Sequence, residues 1–185
     1  MTLALLRQTT LACPVVKKGT YDYFVHPLTD GVPQIEPALL REVVDEILRI
    51  GTFRADKIVT AEAMGIPIGT ALALATGLPL SVIRKRSYGL PGEVSVAQTT
   101  GYSANQLFIN GVRPGDRVVF VDDVVSTGGT LSACLEALVK IGAELADVIV
   151  VFEKGEGRRV VEQRFGRPVK TLLRVEVKDG RVSVG

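Results

Sequence analysis

The sequence predicts an α/β domain on a mostly parallel, twisted sheet flanked by helices, and three observations carry that prediction. Apolar runs short enough to be strands alternate with stretches of helical periodicity, and glycines punctuate the joins. The run from Val118 to Val121 is apolar without a break, as a strand covered on both faces should be.

The elements follow in order. Glu36-Pro37 opens a helix with proline in its first turn, and Leu39, Leu40, Val43, Val44, Ile47 and Leu48 then recur at helical spacing. Lys57 to Ala61 reads as a buried strand, Pro67 to Thr76 as a helix ended by Gly77, and Leu80 to Ile83 as the next strand. From Arg84 to Asp116 the pattern loosens, with glycines at 89, 92, 101 and 111 between alternating stretches such as Glu93-Val94-Ser95-Val96. A structureless loop of that length is uncommon, so the segment predicts a hairpin with a mobile tip at Leu90 to Ser95, the usual setting of an active-site lid, with Leu90, Pro91, Gly92 and Glu93 as lid residues. Order returns with the strand Val118 to Val121, the helix Gly129 to Ile141 with Leu131, Cys134, Leu135 and Leu138 on one face, and the strand Val148 to Phe152. Arg158 to Phe165 suits a short helix, and Leu172 to Val177 and Arg181 to Val184 flank a tight turn at Lys178-Asp179-Gly180.

Composition bounds the function. A chain of 185 residues with 46% hydrophobic and 23% charged residues has the profile of one packed domain, spanning 1–185, not of a disordered or fibrous chain. No apolar stretch approaches the roughly 20 residues of a membrane span and no charged leader precedes an apolar signal region, so a soluble, cytoplasmic protein is expected. Cys13 and Cys134 lie far apart and His26 is the single histidine, which leaves no residue set for a structural zinc site. A net charge of +2 gives no general pull toward nucleic acid or membrane, so any anion site is local.

The segment Val118-Val119-Phe120-Val121-Asp122-Asp123-Val124-Val125-Ser126-Thr127-Gly128-Gly129-Thr130 combines three devices. An apolar strand delivers two adjacent carboxylates to the edge of the sheet, a short Ser/Thr/Gly loop follows, and a helix begins. Loop amides and the helix's amino end make an anion site in which glycine permits close backbone approach and the hydroxyls of Ser126, Thr127 and Thr130 add donors. Carboxylates cannot themselves bind phosphate, so the partners of Asp122 and Asp123 are sugar hydroxyls or a hydrated magnesium ion. The bland alternative is a strand-ending turn followed by a helix cap. Gly128-Gly129-Thr130 lacks the lysine of a P-loop, and Gly155-Glu156-Gly157 lacks the third glycine of a dinucleotide fingerprint.

These residues resemble the phosphoribosyl pyrophosphate motif of type I phosphoribosyltransferases. Glu62-Ala63-Met64-Gly65-Ile66-Pro67, Arg84-Lys85-Arg86, Leu90-Pro91-Gly92-Glu93-Val94-Ser95-Val96 and Thr100-Gly101-Tyr102-Ser103 extend the likeness. It is strongest to the archaeal hypoxanthine/guanine enzymes, themselves similar to adenine phosphoribosyltransferases, and runs from about Pro14 to Gly157. The resemblance implies the type I fold with a flexible lid within 84–116 and a small hood from about 14–35. It implies a homodimer that takes phosphoribosyl pyrophosphate and a purine base, with neither nucleic acid nor membrane as partner.

By family position, Ser126, Thr127, Gly128, Gly129 and Thr130 hold the 5′-phosphate, and Asp122 and Asp123 hold the ribose hydroxyls. Glu62, Ala63, Met64, Arg84 and Lys85 face the pyrophosphate, Lys85 as the inward ligand; a cationic run such as Arg84-Lys85-Arg86 is otherwise a solvated face. Magnesium is the implied cofactor, carried by the pyrophosphate, with Asp122 and Asp123 as candidate protein contacts. Val124, Val125, Phe24, Glu153 and Lys154 are the candidate purine contacts. The aromatic stretch Tyr21, Asp22, Tyr23, Phe24, His26 resembles the purine-covering hood, although core packing explains it equally well, and His26 receives no catalytic role. Several six-oxopurine enzymes carry an aspartate base where this chain has Ser126, and adenine enzymes carry a lid glutamate where it has Gly101. Glu93 is the one lid carboxylate that could substitute. Rival readings on the same fold are an adenine enzyme, a pyrimidine or orotate enzyme, and a nucleotide-sensing regulator.

Overall fold

The apolar and periodic runs described above become elements of one layered architecture, and a helix precedes them that the sequence reading leaves out. The computed structural model describes residues 3–19, 21–100 and 103–185. The elements in chain order are α1 (Ala4–Ala12), β1 (Val15–Lys18), β2 (Tyr21–Phe24), α2 (Pro27–Asp30), α3 (Pro37–Ile50), β3 (Lys57–Ala61), α4 (Gly65–Thr76), β4 (Leu80–Ile83), β5 (Val94–Thr100), β6 (Ser103–Ile109), β7 (Arg117–Val125), α5 (Gly129–Ile141), β8 (Glu144–Lys154), α6 (Gly157–Phe165), β9 (Lys170–Lys178) and β10 (Arg181–Val184).

The central sheet has the order β10-β9-β8-β7-β3-β4. All its pairings are parallel except β9 with β10, which join antiparallel across the turn the sequence placed at 178–180. Two antiparallel hairpins, β1-β2 and β5-β6, stand outside it. Each face of the sheet carries its own core. Val59, Val118, Phe120, Val148 and Val150 pack with Leu131, Leu135 and Leu138 of α5 and with Leu107 and Ile109 of β6 on one side. Ile58, Val119, Val121, Ile149 and Phe152 pack with Leu6, Val43, Ile47, Ile68 and Leu72 on the other. A strand buried on both faces cannot alternate polar and apolar residues, which is why 118–121 and 148–152 read as unbroken apolar runs.

Several boundaries differ from the sequence reading, each for a physical reason. β7 does not stop at Val121 but carries Asp122 and Asp123 inside the strand as far as Val125, because β8 pairs alongside it to Glu153 and supplies the ladder. β8 likewise begins at Glu144 and ends at Lys154. α1 has no side-chain cap of its own; the backbone N–H groups of Leu5 and Leu6 donate to the two carboxylate oxygens of Glu42, on α3. In the lid, β5 and β6 turn over between Thr100 and Ser103, so Leu90 to Glu93 form a turn at the root of the hairpin and not its tip. Gly101 and Tyr102, part of the resemblance above, lie outside the described residues, as does the Tyr21 side chain. No described helix is long and apolar enough to cross a membrane.

Candidate functional site

Parallel strands present their carboxyl ends to one side, where successive loops can act on one ligand. Here β3, β4, β7 and β8 end together and deliver, respectively, the loop at 62–64, the cations from Arg84, the carboxylates Asp122 and Asp123 with the loop beyond them, and the pair Glu153 and Lys154.

The loop from Ser126 to Thr130 turns at Gly128, whose φ of +82° is a left-handed conformation open to glycine at little cost. It encloses a concavity of about 130 Å³ lined by residues 124–131 at the amino end of α5. Beneath it lies Gly157: a β-carbon there would fall 2.2 Å from the Ser126 carbonyl oxygen and 2.4 Å from the Gly128 nitrogen. The sequence reading treated Gly157 as the end of a failed fingerprint; its signal was the Gly-X-Gly spacing itself, which marks close backbone approach without saying to what.

Asp122 is 7% exposed, and its Oδ1 accepts from the backbone N–H of Asp123 at 3.0 Å. Burial pushes the Asp122 carboxyl up to about 6 from an ordinary 3.8, while contacts with Asp123 and the positive charge of Lys85 act downward. Asp123 is also raised well above its ordinary value, first by burial and then by the charge of Asp122, with a contribution from Asp30 of the hood. The two carboxylates behave as one coupled pair that resists full ionisation without an opposing positive charge. A β-carbon at Gly65 would fall 2.8 Å from Asp122 Oδ1 and 1.9 Å from Thr60 Oγ1, so the start of α4 meets the acidic pair directly.

The cis peptide Glu62-Ala63 lies in the loop after β3. Glu62 turns its carboxylate to β4: Oε1 accepts the backbone N–H of Lys85, and Oε2 lies 3.0 Å from Arg84 Nε, close enough to pair but out of line for a hydrogen bond. Arg84 exchanges backbone hydrogen bonds of 2.9 and 2.7 Å with Phe108, tying the lid to the same strand end. Lys85 is exposed. The structure therefore gathers Glu62, Ala63, Met64, Arg84 and Lys85 at one edge of the sheet, with Glu62 bracing the end of β4.

The candidate purine residues divide. Lys154 donates from Nζ to the Asp22 carbonyl at 2.6 Å and sits 5.8 Å from the Phe24 ring centroid, so it neither points into solvent nor stands apart from the hood. With Ser126, Thr127, Gly155 and Arg174 it lines a groove of about 620 Å³, within the range of about 300–1,000 Å³ usual for small-molecule sites. Val124 is half-buried and Val125 fully buried at the end of β7. Phe24 is a core residue whose ring packs edge-on to Phe152 at 5.5 Å, and packing accounts for it. Glu153 is engaged by Arg158, Arg174 and Thr171, which turn its carboxylate toward α6 and β9. His26 is buried; its Nδ1 accepts the N–H of Leu28 at 3.1 Å, which leaves Nε2 to donate to Thr9 Oγ1 at 2.9 Å, and burial lowers its pKa to about 4. Burial keeps this imidazole neutral at neutral pH, with both nitrogens hydrogen-bonded inside the fold.

Glu93 does not fit the role of a proton acceptor. Asn110, Ser87 and the N–H groups of Tyr88 and Gly89 all donate to it, and these contacts hold its pKa down to about 2.

The phosphoribosyl transferase domain model matches residues 35–170. The hypoxanthine/guanine phosphoribosyltransferase of Methanocaldococcus jannaschii is 54% identical over 97% of this chain and 99% of its own length, and that of Methanothermobacter thermautotrophicus is 59% identical over 97% and 93%. Among solved structures, the adenine phosphoribosyltransferase of Thermoanaerobacter pseudethanolicus superposes with a TM-score of 0.77 at 22% identity, covering 94% of this chain and 99% of that one, a likeness of fold alone. A match of this breadth, over the strands and loops just described, places the chain in the phosphoribosyltransferase family.

Proposed function

We propose that this chain is a purine salvage enzyme that moves the phosphoribosyl group of phosphoribosyl pyrophosphate to hypoxanthine or guanine, giving IMP or GMP and pyrophosphate. The observation that carries the reading is the adjacent pair of Asp122, buried, and Asp123, half-buried, at the end of β7 between the loops after β3 and β7, with the charge of Lys85 acting on Asp122. The names of relatives more than 50% identical along nearly the whole chain support the choice of bases.

In this reading the bond between the anomeric carbon and pyrophosphate breaks with its electron pair leaving on oxygen, a purine nitrogen lone pair forms the new bond at the opposite face, and the proton of the imidazole ring passes to the departing pyrophosphate or to water. The loop 126–130 anchors the 5′-phosphate, which locates the anomeric carbon. Asp122 and Asp123 accept from the ribose hydroxyls, and their charge favours the cationic sugar of the transition state. Lys85 and Arg84 attract the departing anion, and the lid excludes water.

Magnesium fits this donor set as a substrate-borne ion: among the described residues no group of three or more His, Cys, Asp or Glu could hold a metal, while magnesium is commonly held by one or two carboxylates with substrate phosphates and water. It would supply charge neutralisation of the pyrophosphate, with Asp122 and Asp123 as its protein partners. The family resemblance also supports a homodimer, which sedimentation of the purified chain would test.

Base choice follows from a donor. A six-oxopurine presents an acceptor where adenine presents an amino group, and an ammonium only donates. Lys154, in the groove beside the loop, is the candidate, exchanging its bond to the Asp22 carbonyl for one to the base. Catalytic efficiencies for hypoxanthine, guanine and adenine in wild type and Lys154→Met decide the matter. We expect adenine to be poor with wild type and the oxopurines to lose about 10- to 100-fold in the variant. Preference for adenine sinks the substrate assignment; an unchanged variant sinks Lys154 alone.

A further inference from the structure

Adjacent residues at the end of β8 point to different tasks. Lys154 reaches the hood, whereas Glu153, 7% exposed, turns toward α6. Its Oε2 accepts from Arg158 Nη1 at 3.1 Å and from Thr171 Oγ1 at 3.2 Å, and its Oε1 from Arg174 Nη1 at 3.3 Å. Arg158 also donates to Glu162 Oε1 at 3.1 Å and to Thr171 Oγ1 at 3.3 Å, and Glu162 in turn accepts the backbone N–H of Val169 at 2.9 Å. The result is a closed ionic cluster joining β8, α6 and β9.

What the cluster holds is the first turn of α6, and that turn begins with Gly157. The Gly157 N–H donates to the Ser126 carbonyl at 2.8 Å. In a trans peptide the carbonyl and the next N–H point in opposite directions. Binding the Ser126 carbonyl from below therefore aims the Thr127 N–H away from α6, toward the open side of the loop. A second contact closes the fit: a β-carbon at Gly128 would fall 2.7 Å from the Gly157 carbonyl oxygen, so the two glycine backbones touch with no side chain between them. Any tilt of the first turn of α6 is passed directly into the peptide planes of the loop.

We propose that Glu153 and Arg158 are positioning residues for the 5′-phosphate: the carboxylate at the end of β8 fixes Arg158, and through it the Gly157 backbone on which the loop Ser126 to Gly128 is shaped. The inference rests on the assignment of that loop to the 5′-phosphate. It differs from a general contribution to stability because it acts on one phosphate site and leaves the other alone, since the pyrophosphate loop after β3 has no contact with the cluster in the bonds just given.

The test is calorimetric binding of two probes, ribose 5-phosphate and inorganic pyrophosphate with magnesium, to wild type, Glu153→Gln, Arg158→Met and the double variant. Each single change should weaken ribose 5-phosphate about tenfold, the effect of losing a charge-assisted bond, while pyrophosphate stays within about twofold. The double variant should be no weaker than the weaker single, because both act along one path. In turnover the KM for phosphoribosyl pyrophosphate should rise with kcat little changed, and Arg158→Lys should recover part of the loss. Thr171→Val, which trims one contact from both groups, provides a milder variant if Arg158→Met does not fold; it should shift ribose 5-phosphate in the same direction by less. Equal weakening of both probes, fully additive losses, or a lowered melting temperature with ribose 5-phosphate binding intact would each overturn the proposal. Gly128→Val separates the two levels: if it binds ribose 5-phosphate as wild type does, the phosphate assignment of the loop is what fails.

Discussion

The two loops proposed to hold anions have the same ancestry in physics and different supports. Both follow a parallel strand and lead into a helix, the first from β3 into α4 and the second from β7 into α5. The loop 126–130 rests on another backbone, that of Gly157, clamped by an ionic cluster. The loop at 62–64 instead meets the end of β4 at Glu62, whose N–H donates to the Ile83 carbonyl at 3.0 Å and whose carboxylate accepts the Lys85 N–H, and that strand end is joined to the lid by Arg84 and Phe108. A backbone floor gives a rigid cradle, suited to the 5′-phosphate that is held in both substrate and product. A side-chain tie to the lid gives a site that can respond when its ligand leaves, which suits pyrophosphate. The difference can be broken from either side.

The largest effect should come from the rigid side. Gly128→Val asks a β-branched residue to adopt a φ of +82° and places its Cβ against the Gly157 carbonyl. The backbone strain alone is roughly 1–3 kcal/mol, and we expect no measurable turnover and no ribose 5-phosphate binding in a folded chain. Asp123→Asn keeps the shape and removes the charge; kcat should fall by about 10²–10³ with ribose 5-phosphate still bound. Wild-type affinity in Gly128→Val, or normal kcat in Asp123→Asn, would remove the assigned roles.

On the responsive side, Glu62→Gln should raise the KM for phosphoribosyl pyrophosphate about tenfold, because a neutral amide braces the Lys85 N–H and Arg84 less well. Ribose 5-phosphate affinity should not move. Parallel titrations of the two probes check this, and a loss shared equally between them would abolish the distinction between the supports.

Between the loops, the acidic pair makes a prediction about pH. Folding raises both carboxyl pKa values, so the stabilising contribution of the protonated pair is complete below about pH 4 and is lost, for Asp122, as pH rises through about 6. In the ligand-free enzyme, Asp122→Asn should therefore gain melting temperature relative to wild type as pH rises from about 4 to about 7. A difference independent of pH would mean that the pair is not buried together as described.

The sequence made the apolar strands, the helix after Gly129 and the motif at 118–130 legible because each is a local pattern. It did not reveal what depends on distant partners. α1 went unnoticed because its amino end is capped by Glu42, more than thirty residues away, and its own turns contain the poor helix formers Thr9 and Thr10. Asp122 and Asp123 looked like the end of a strand because polarity normally marks one; pairing with β8 keeps the strand going. Glu153 looked like a ligand contact for the same reason that it is a brace, being a carboxylate at the end of a parallel strand, and only the side it faces separates the two roles. Gly157 was visible as a glycine, but the backbone it must accommodate lies thirty residues earlier.

Glu93 gives the smallest predicted effect and the sharpest one about the lid. From sequence it is a reasonable general base, since it is the lone carboxylate of the segment and lies next to the site in chain order. The structure supplies four donors to its two oxygens and holds its pKa near 2, which favours the anion as a hydrogen-bond acceptor and disfavours it as a base at neutral pH. Because its folded pKa is depressed, whatever it contributes to the lid root is present above its ordinary value of 4.5 and is lost only as pH falls through about 2, outside the range in which turnover is measured. Glu93→Gln keeps the shape and most of the accepting capacity, so kcat should change by less than about threefold at neutral pH, whereas removal of a true general base costs about 10²–10⁴. Steady-state kinetics across pH separate these outcomes. A hundredfold loss of kcat, with a limb of the pH profile lost in the variant, would return Glu93 to the chemistry; a near-wild-type kcat makes it the clasp that sets where the lid leaves the sheet.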